Sequence, residues 1–413
     1  MSDRGGGDDQ ASGESGTSKR PTKGQPVKGQ AVKGQISDGE PMRVVVVDDS
    51  SFVRRAITRM LENDDRIEIV GQAATGEELI TRLEEWNPDA ITLDLSMPGM
   101  GGLQTLDHIM AHRPTPVIIL STHSAKDAPL TIEALHRGAT DFIDKQQYSL
   151  VDFEALRSVI VQKLLHLRGI TPLSVAGEPA AEEQKARAPV AETRSAPPAP
   201  RKRKPAPRAP RRPPPPEITA GRFDLLLVGA STGGPPTIQR LLEDLGPDFP
   251  LPVVIVQHMP KGFTSAFAER LNAHLPLHVR EASDGEALRP ATVYIAPAGL
   301  HLKFRRRGGE VLAVLDPEPA KLAHRPSVDV MLASAAQNLG RRCLAVLLTG
   351  MGSDGAAGML RVRDAGGYTV GQDAASCVVY GMPRAAANLN ALVEEVGLDA
   401  LGIRLRTLLK DAG

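Results

Sequence analysis

Two stretches of the chain alternate short apolar runs with segments of helical period, and the rest of it does neither. Between residues 42 and 168, β-rich runs stand at Val44–Val47, Ala90–Leu93, Val117–Leu120 and Phe142–Ile143. Between them, Phe52–Leu61, Glu77–Trp86 and Ile132–Arg137 carry apolar residues at helical spacing. Strand, helix, strand implies right-handed βαβ units, and runs apolar on both faces imply a parallel sheet covered by helices. From 222 to 413 the pattern repeats. Strands are predicted at Leu225–Val228, Val253–Val256, Val293–Ile295, Val311–Leu315, Leu344–Leu348 and Tyr368–Val370, with helices at Thr264–Asn272 and Ser327–Leu339. Both stretches are expected to be α/β, each a doubly wound parallel sheet.

The flanking segments have the opposite character. Residues 1–41 are rich in Gly, Ser, Lys and Asp, with nothing to bury, and are expected to be a disordered tail. Residues 169–221 form a Pro/Ala/Arg-rich linker: 171–220 alone holds 13 of the 34 prolines, and proline-rich chain is an extended spacer. Its basic run at 201–216 has no interleaved aromatic residue, so a solvated linker is expected rather than a nucleic-acid contact. Lys+Arg and Asp+Glu balance at 49 each, without the basic excess of a nucleic-acid binder. No apolar run approaches a membrane span, and the N-terminus lacks the apolar core of a signal peptide. The two cysteines, Cys343 and Cys377, suit a reducing compartment. A soluble cytoplasmic protein is expected, with no direct membrane insertion.

Function in an open parallel sheet gathers at the C-terminal strand ends. The first strand runs into Asp48-Asp49-Ser50 and a later one into Asp94, which brings three carboxylates together. Carboxylates so placed repel unless a cation sits among them, and oxygen-only ligation suits Mg²⁺. Ser121 and Lys145 end the next two strands, a hydroxyl and an ammonium suited to phosphoryl oxygens. The alternative, an Asp-Asp pair that merely caps the following helix, loses weight beside the other three residues. The strings VVVVDDSSFVRR, DLSMPGMGG and DFIDK resemble the receiver domain of two-component response regulators, a flavodoxin-like fold. That resemblance implies that Asp94 takes phosphate from a histidine kinase. It further implies that Asp48, Asp49 and Asp94 hold Mg²⁺, that Ser121 senses the phosphate and that Lys145 pairs with it. Gln146, where receivers usually carry proline, and Gly101, where they carry aspartate, depart from the pattern.

In the second stretch the strand FDLLLV enters Gly229-Ala230-Ser231-Thr232-Gly233-Gly234 and then two prolines that suit a first helical turn. This fits G-x-S-x-G, a nucleophile elbow, and equally a phosphate cradle. His258 follows the next strand, and Asp354 lies in a glycine-dense loop after CLAVLLTG. A structural histidine and a capping aspartate are the bland alternatives; on one sheet edge the three make a hydroxyl–imidazole–carboxylate set for acyl chemistry. The order Ser, His, Asp is not that of α/β-hydrolases, chymotrypsin or subtilisin. Asp329, in HRPSVD with Arg325, is a rival for the carboxylate role. His123, His274 and His301 show no metal spacing, and Met351, Met359 and Met382 suit packing.

VGASTGGPPTI, QHMPKGFTSAFAERLN, HRPSVDVML, LLTGMGSDGAAGM and CVVYGMPRAA resemble the catalytic domain of the chemotaxis methylesterases, a Rossmann-like fold. With a receiver ahead of it, this implies a phosphorylation-activated protein-glutamate methylesterase. Its implied substrates are methyl-accepting chemoreceptors, its phosphodonor is the chemotaxis histidine kinase, and deamidation of receptor glutamine is a further implied activity. By the resemblance Ser231, His258 and Asp354 are catalytic, the Met351 N–H is an oxyanion donor, Thr232 borders the site, and no cofactor serves this domain. Two rivals remain from the residues alone. One is a response regulator whose output binds nucleotide through 229–234. The other is a DNA-binding regulator using 201–212, which would need a helix-turn-helix that 222–410 does not suggest.

Overall fold

Val44–Val47 is buried on both faces, as a central strand of a helix-covered parallel sheet must be. In the computed structural model, which describes residues 40–121, 128–145, 153–168 and 222–410, this run is β1 (Met42–Val47). It is followed by α1 (Ser51–Glu62), β2 (Ile67–Ala73), α2 (Gly76–Trp86), β3 (Ala90–Asp94), α3 (Gly101–His112), β4 (Val117–Ser121), α4 (Ala128–His136), β5 (Asp141–Asp144) and α5 (Phe153–His166). The five strands are parallel in the order β2-β1-β3-β4-β5. Strand β2 is absent from the predicted set. It is an edge strand with only Ile67 and Ala73 buried, so its polar positions blunt the apolar signal.

The second sheet has seven strands, all parallel, in the order β14-β13-β12-β6-β7-β9-β8. Its elements are β6 (Leu225–Ala230), α6 (Gly234–Leu245), β7 (Val253–Gln257), α7 (Phe263–His274), β8 (His278–Glu281), β9 (Thr292–Ile295), β10 (His301–Arg307), β11 (Glu310–Asp316), α8 (Val328–Leu339), β12 (Cys343–Leu347), α9 (Ala356–Asp364), β13 (Tyr368–Gln372), α10 (Met382–Asn388), β14 (Glu394–Val396) and α11 (Leu398–Lys410). Expected strand Val311–Leu315 forms, but as β11 of an antiparallel hairpin with β10, outside the parallel sheet. The edge strands β8 and β14 carry one buried residue between them, Val279, which is why no apolar run marks them.

Two topological facts position the chemistry. From β6 the chain winds out through β7 to β9 and then returns to the other side at β12, so the order reverses at β6. In the first sheet it reverses at β1, between β2 and β3. The crevice at such a reversal, outside the carboxyl ends of the strands, is where open α/β sheets bind ligands. The two parts also meet. Phe142 of β5 stacks on Phe263 of α7 at 4.7 Å between centroids, Glu133 of α4 pairs with Arg270 of α7, and His136 Nδ1 lies 2.6 Å from Gln239 Oε1 of α6. No helix among the described residues is long and apolar enough to cross a membrane.

Candidate active site and phosphoacceptor cluster

At the first rim, Asp48, Asp49 and Asp94 each present a carboxylate oxygen within 4.8 Å of the others. Arg54 of α1 pins the backbone there, donating to the Asp48 carbonyl at 2.6 Å and the Asp49 carbonyl at 3.0 Å. Lys145 Nζ donates to Asp48 at 2.8 Å and to Asp94 at 3.1 Å. One ammonium for three carboxylates leaves an excess of negative charge. Burial pushes the Asp48 carboxyl up and adjacent Asp94 adds to this, while Lys145 pulls it back. Burial opposes the charge on Lys145, but Asp94 and Asp48 hold its ammonium above the ordinary value. All-oxygen donors, one open to solvent, fit a hard divalent cation that would balance that excess. Ser121 ends β4 one residue past the Asp94–Leu120 pair and accepts a hydrogen bond from Thr131 at 2.8 Å. Gln146 lies outside the described residues, as do residues 1–39 of the tail, the linker and His123. Gly101 opens α3 at φ 69°, a left-handed conformation that glycine takes without strain.

At the second rim, strands β12, β6 and β7 are neighbours, and Ala230 pairs with Gln257. Ser231 and His258 are therefore the next residues on adjacent strands. Gln257, buried, donates to the carbonyls of Ser231 (2.9 Å) and His258 (3.2 Å), and Ser231 N donates to Thr349 O at 3.0 Å. The elbow needs glycines for close approach. A Cβ on Gly350 would sit 2.9 Å from Ser231 Cβ and collide with Met382 Sδ, while Gly233 turns the chain at φ 76° against Val378. The 229–234 turn is thus filled by protein packing, and its use as a nucleotide-phosphate cradle finds no support.

His258 Nε2 lies 2.8 Å from Asp354 Oδ2. The same carboxylate accepts from Val328 N (2.8 Å), Asp329 N (2.9 Å) and Ser327 Oγ (2.8 Å), the start of α8. Burial opposes its ionisation, but the bond from His258 and the α8 amides override burial and hold the carboxyl well below the usual range. An ionised Asp354 fixes the imidazole proton on Nε2 and leaves a lone pair on Nδ1. That atom is buried and has no partner among the described residues. Asp354 is therefore a helix cap and an imidazole partner at once. Asp329 is the mirror image: its carboxylate accepts from Gly358 N of α9 at 2.6 Å and does not reach His258. The two aspartates cap each other's helices, and the rival for the carboxylate role is excluded by what it binds.

Ser231, Thr232 and His258 line a cleft of about 440 Å³. Lys261, Arg325 and Pro326 line it too, and so do Phe142, Ile143 and Asp144 of β5 and Val159 and Lys163 of α5. Among the described residues no hydrogen-bond acceptor takes up the Met351 N–H. Thr232 is buried, its carbonyl held by Thr349 Oγ1 at 3.0 Å. His301 is a buried structural residue between Ser327 N and the Pro319 carbonyl, and Met359 and Met382 are buried in the core. Sequence reasoning missed His324, whose ring lies on His258 with centroids 3.9 Å apart and planes 11° from parallel. Its only signal was membership of HRPSVD.

Residues 226–405 match the family model for CheB methylesterase, and residues 44–157 match the response regulator receiver domain. The chain is 45% identical over 363 residues to protein-glutamate methylesterase/protein-glutamine glutaminase 2 of Nitratidesulfovibrio vulgaris, covering 86% of this chain and 96% of that one. It is 41% identical over 362 residues to protein-glutamate methylesterase/protein-glutamine glutaminase 3 of Geobacter sulfurreducens, covering 87% and 95%. Among solved structures, the Thermotoga maritima CheB methylesterase catalytic domain is similar at 37% identity, covering 46% of this chain and 98% of that one, with a TM-score of 0.43.

Proposed function

This chain belongs to the CheB methylesterase family and carries a response regulator receiver domain, and on that premise we propose that Ser231, His258 and Asp354 hydrolyse glutamate γ-methyl esters on chemoreceptors under the control of phosphorylation at Asp94. The observation that carries the reading is the Asp354–His258 bond at the rim where β12, β6 and β7 lie side by side, with Ser231 and His258 facing one cleft.

The geometry supports a two-step acyl transfer. His258 Nδ1 takes the Ser231 hydroxyl proton as Oγ attacks the ester carbonyl carbon. The carbonyl oxygen becomes an oxyanion, for which the Met351 N–H, in the loop after β12 and without an acceptor among the described residues, is the proposed donor. Collapse breaks the C–OCH₃ bond, His258 returns its proton to the leaving oxygen, and methanol departs. Water, deprotonated by His258, then cleaves the acyl-enzyme and leaves a glutamate carboxylate and free Ser231. An amide in place of the ester releases ammonia by the same steps, which is the deamidase activity named in the curated relatives.

Control is assigned to the receiver part. Phe142, Ile143, Asp144, Val159 and Lys163 line the Ser231 cleft, so a receptor helix cannot enter it while the receiver sits there. Asp94, phosphorylated by a chemotaxis histidine kinase, would loosen that contact, with Ser121 and Lys145 binding the phosphoryl oxygens. Asp48, Asp49 and Asp94 would hold Mg²⁺, which neutralises phosphoryl charge when bound. The proposed organisation is a tail at 1–41, the receiver at 42–168, a linker at 169–221 and the esterase at 222–413. Two free cysteines fit a cytoplasmic setting. The test is methanol release from methylated receptor with and without a phosphodonor. Ser231→Ala is expected to be inactive and Asp94→Asn active but unstimulated; an active Ser231→Ala ends the reading.

A further inference from the structure

We propose that His324 is a positioning residue for the general base: its ring, face to face with His258, holds the imidazole plane that the Asp354 bond alone leaves free to turn. This deepens the proposed function and rests on it.

Three observations carry it. A hydrogen bond to Asp354 through Nε2 leaves the His258 ring free to swing about that contact, and Nδ1 has no partner of its own to stop it. The His324 ring, 3.9 Å away and tilted only 11°, covers one face of that imidazole and forbids the swing on that side. His324 is itself fixed by the network that fixes His258. Three residues on, Ser327 donates its hydroxyl to Asp354 at 2.8 Å, and the neighbouring Arg325 carbonyl accepts from Gly299 N at 2.9 Å. The same carboxylate therefore holds His258 directly and anchors the start of α8, to which His324 leads. A flat neutral ring over an imidazole also favours the imidazolium that forms as the serine proton transfers.

The groups facing His324 are His258, Asp354 and Lys163 of the receiver part. Burial of its inner face, then the neighbouring His258, push its imidazole down to about 4, with Asp354 acting the other way and Lys163 adding to the shift. Near neutrality the second ring is thus uncharged and does not repel the imidazolium.

The test uses the full chain and two readouts. One is the rate of Ser231 labelling by a fluorophosphonate; the other is kcat and KM for methanol release from methylated receptor. With the His258 ring freed, His324→Ala is expected to lose about ten- to a hundredfold in labelling rate and kcat, with KM nearly unchanged. His324→Phe, which keeps a flat face and no titratable group, is expected to recover to within about threefold of wild type. Unchanged thermal midpoints would exclude unfolding as the cause. Labelling of His324→Ala at the wild-type rate overturns the proposal. So does a loss that Phe does not restore, or a change confined to KM, which would make His324 a substrate contact. If the wild-type chain is not labelled at Ser231 even with phosphodonor and Mg²⁺ present to open the cleft, the serine-esterase reading itself fails, and the proposal with it.

Discussion

The receiver rim and the esterase rim are the same device, a reversal of strand order in a parallel sheet, yet they treat a buried carboxylate in opposite ways. At the esterase rim Asp354 is fully met: two α8 amides, one hydroxyl and the His258 imidazole surround it and hold it ionised. At the receiver rim Asp48 and Asp94 share one lysine and crowd a third carboxylate, so the cluster is left short of positive charge. A satisfied site is rigid and ready to react; a site in deficit waits for a cation and a phosphoryl group and can be switched by them. The contrast is between a catalyst and a receiver, written in hydrogen-bond partners.

The largest expected effect breaks the satisfied side. Asp354→Asn presents an amide that cannot hold the imidazole tautomer, and kcat for methanol release is expected to fall by about 10³- to 10⁴-fold. Asp329→Asn is the control, because Asp329 caps α9 and leaves His258 alone. Loss of that cap, ~1 kcal/mol, should lower the thermal midpoint by about 2–4 °C while fluorophosphonate labelling stays within about twofold. Equal losses of activity in the two variants would show that Asp354 acts only as a cap.

Next is the contact that joins the two rims. Phe142→Leu keeps an apolar side chain at the interface but loses the stack on Phe263. An aromatic pair is worth ~0.5–1.5 kcal/mol beyond its buried area, so the closed arrangement should weaken by about two- to tenfold. Methanol release without phosphodonor should rise by that factor, and the fully stimulated rate should stay put. A basal rate unchanged in this variant would mean that the Phe142 face does not hold the cleft closed.

Much of this was legible because strand ends can be read from apolar runs. Val253–Val256 and Leu344–Leu348 fixed where His258 and Asp354 emerge, and Val44–Val47 with Ala90–Leu93 did the same for Asp48 and Asp94. What escaped depends on partners distant in sequence. That Asp354 and Asp329 cap each other's helices is a fact of how α8 packs on α9, and the sequence, which favoured Asp354, still kept Asp329 of HRPSVD as its rival. His324 escaped for the same reason: a ring stacked across a cleft leaves no periodicity. Strands β2, β8 and β14 escaped because edge strands keep polar positions, and the β10–β11 hairpin because β10 ends in Arg305-Arg306-Arg307.

The pH dependence of stability sharpens the comparison further. Asp354 titrates in the fold below its ordinary value of 3.8. A carboxyl with a depressed folded value adds stability above its unfolded value and loses it as pH falls through the folded one. Calorimetric midpoints of wild type and Asp354→Asn should therefore differ most above pH ~5 and converge as the pH drops below ~4. A gap that stays constant from pH 6 to pH 3 would mean that the Asn variant loses packing rather than charge.

The smallest effect has the opposite sign and belongs to the other rim. Asp48 is buried, and its carboxyl is pushed up, because burial and the neighbouring Asp94 outweigh the help of Lys145. Asp48→Asn removes one negative charge from the crowded cluster and keeps the side chain's shape. Without divalent cation it should stabilise the receiver by ~1 kcal/mol, a rise of about 2–4 °C in midpoint for a domain of this size. The chain's single tryptophan, Trp86 of α2, lies in the receiver and reports that transition by fluorescence. Added Mg²⁺ should raise the wild-type midpoint and leave that of Asp48→Asn nearly unmoved, because a ligand that binds only the folded state stabilises it in proportion to its affinity. A lower midpoint for the variant in the absence of Mg²⁺ would mean that the Lys145–Asp48 bond outweighs the crowding, and the receiver rim would then be as self-sufficient as the esterase rim.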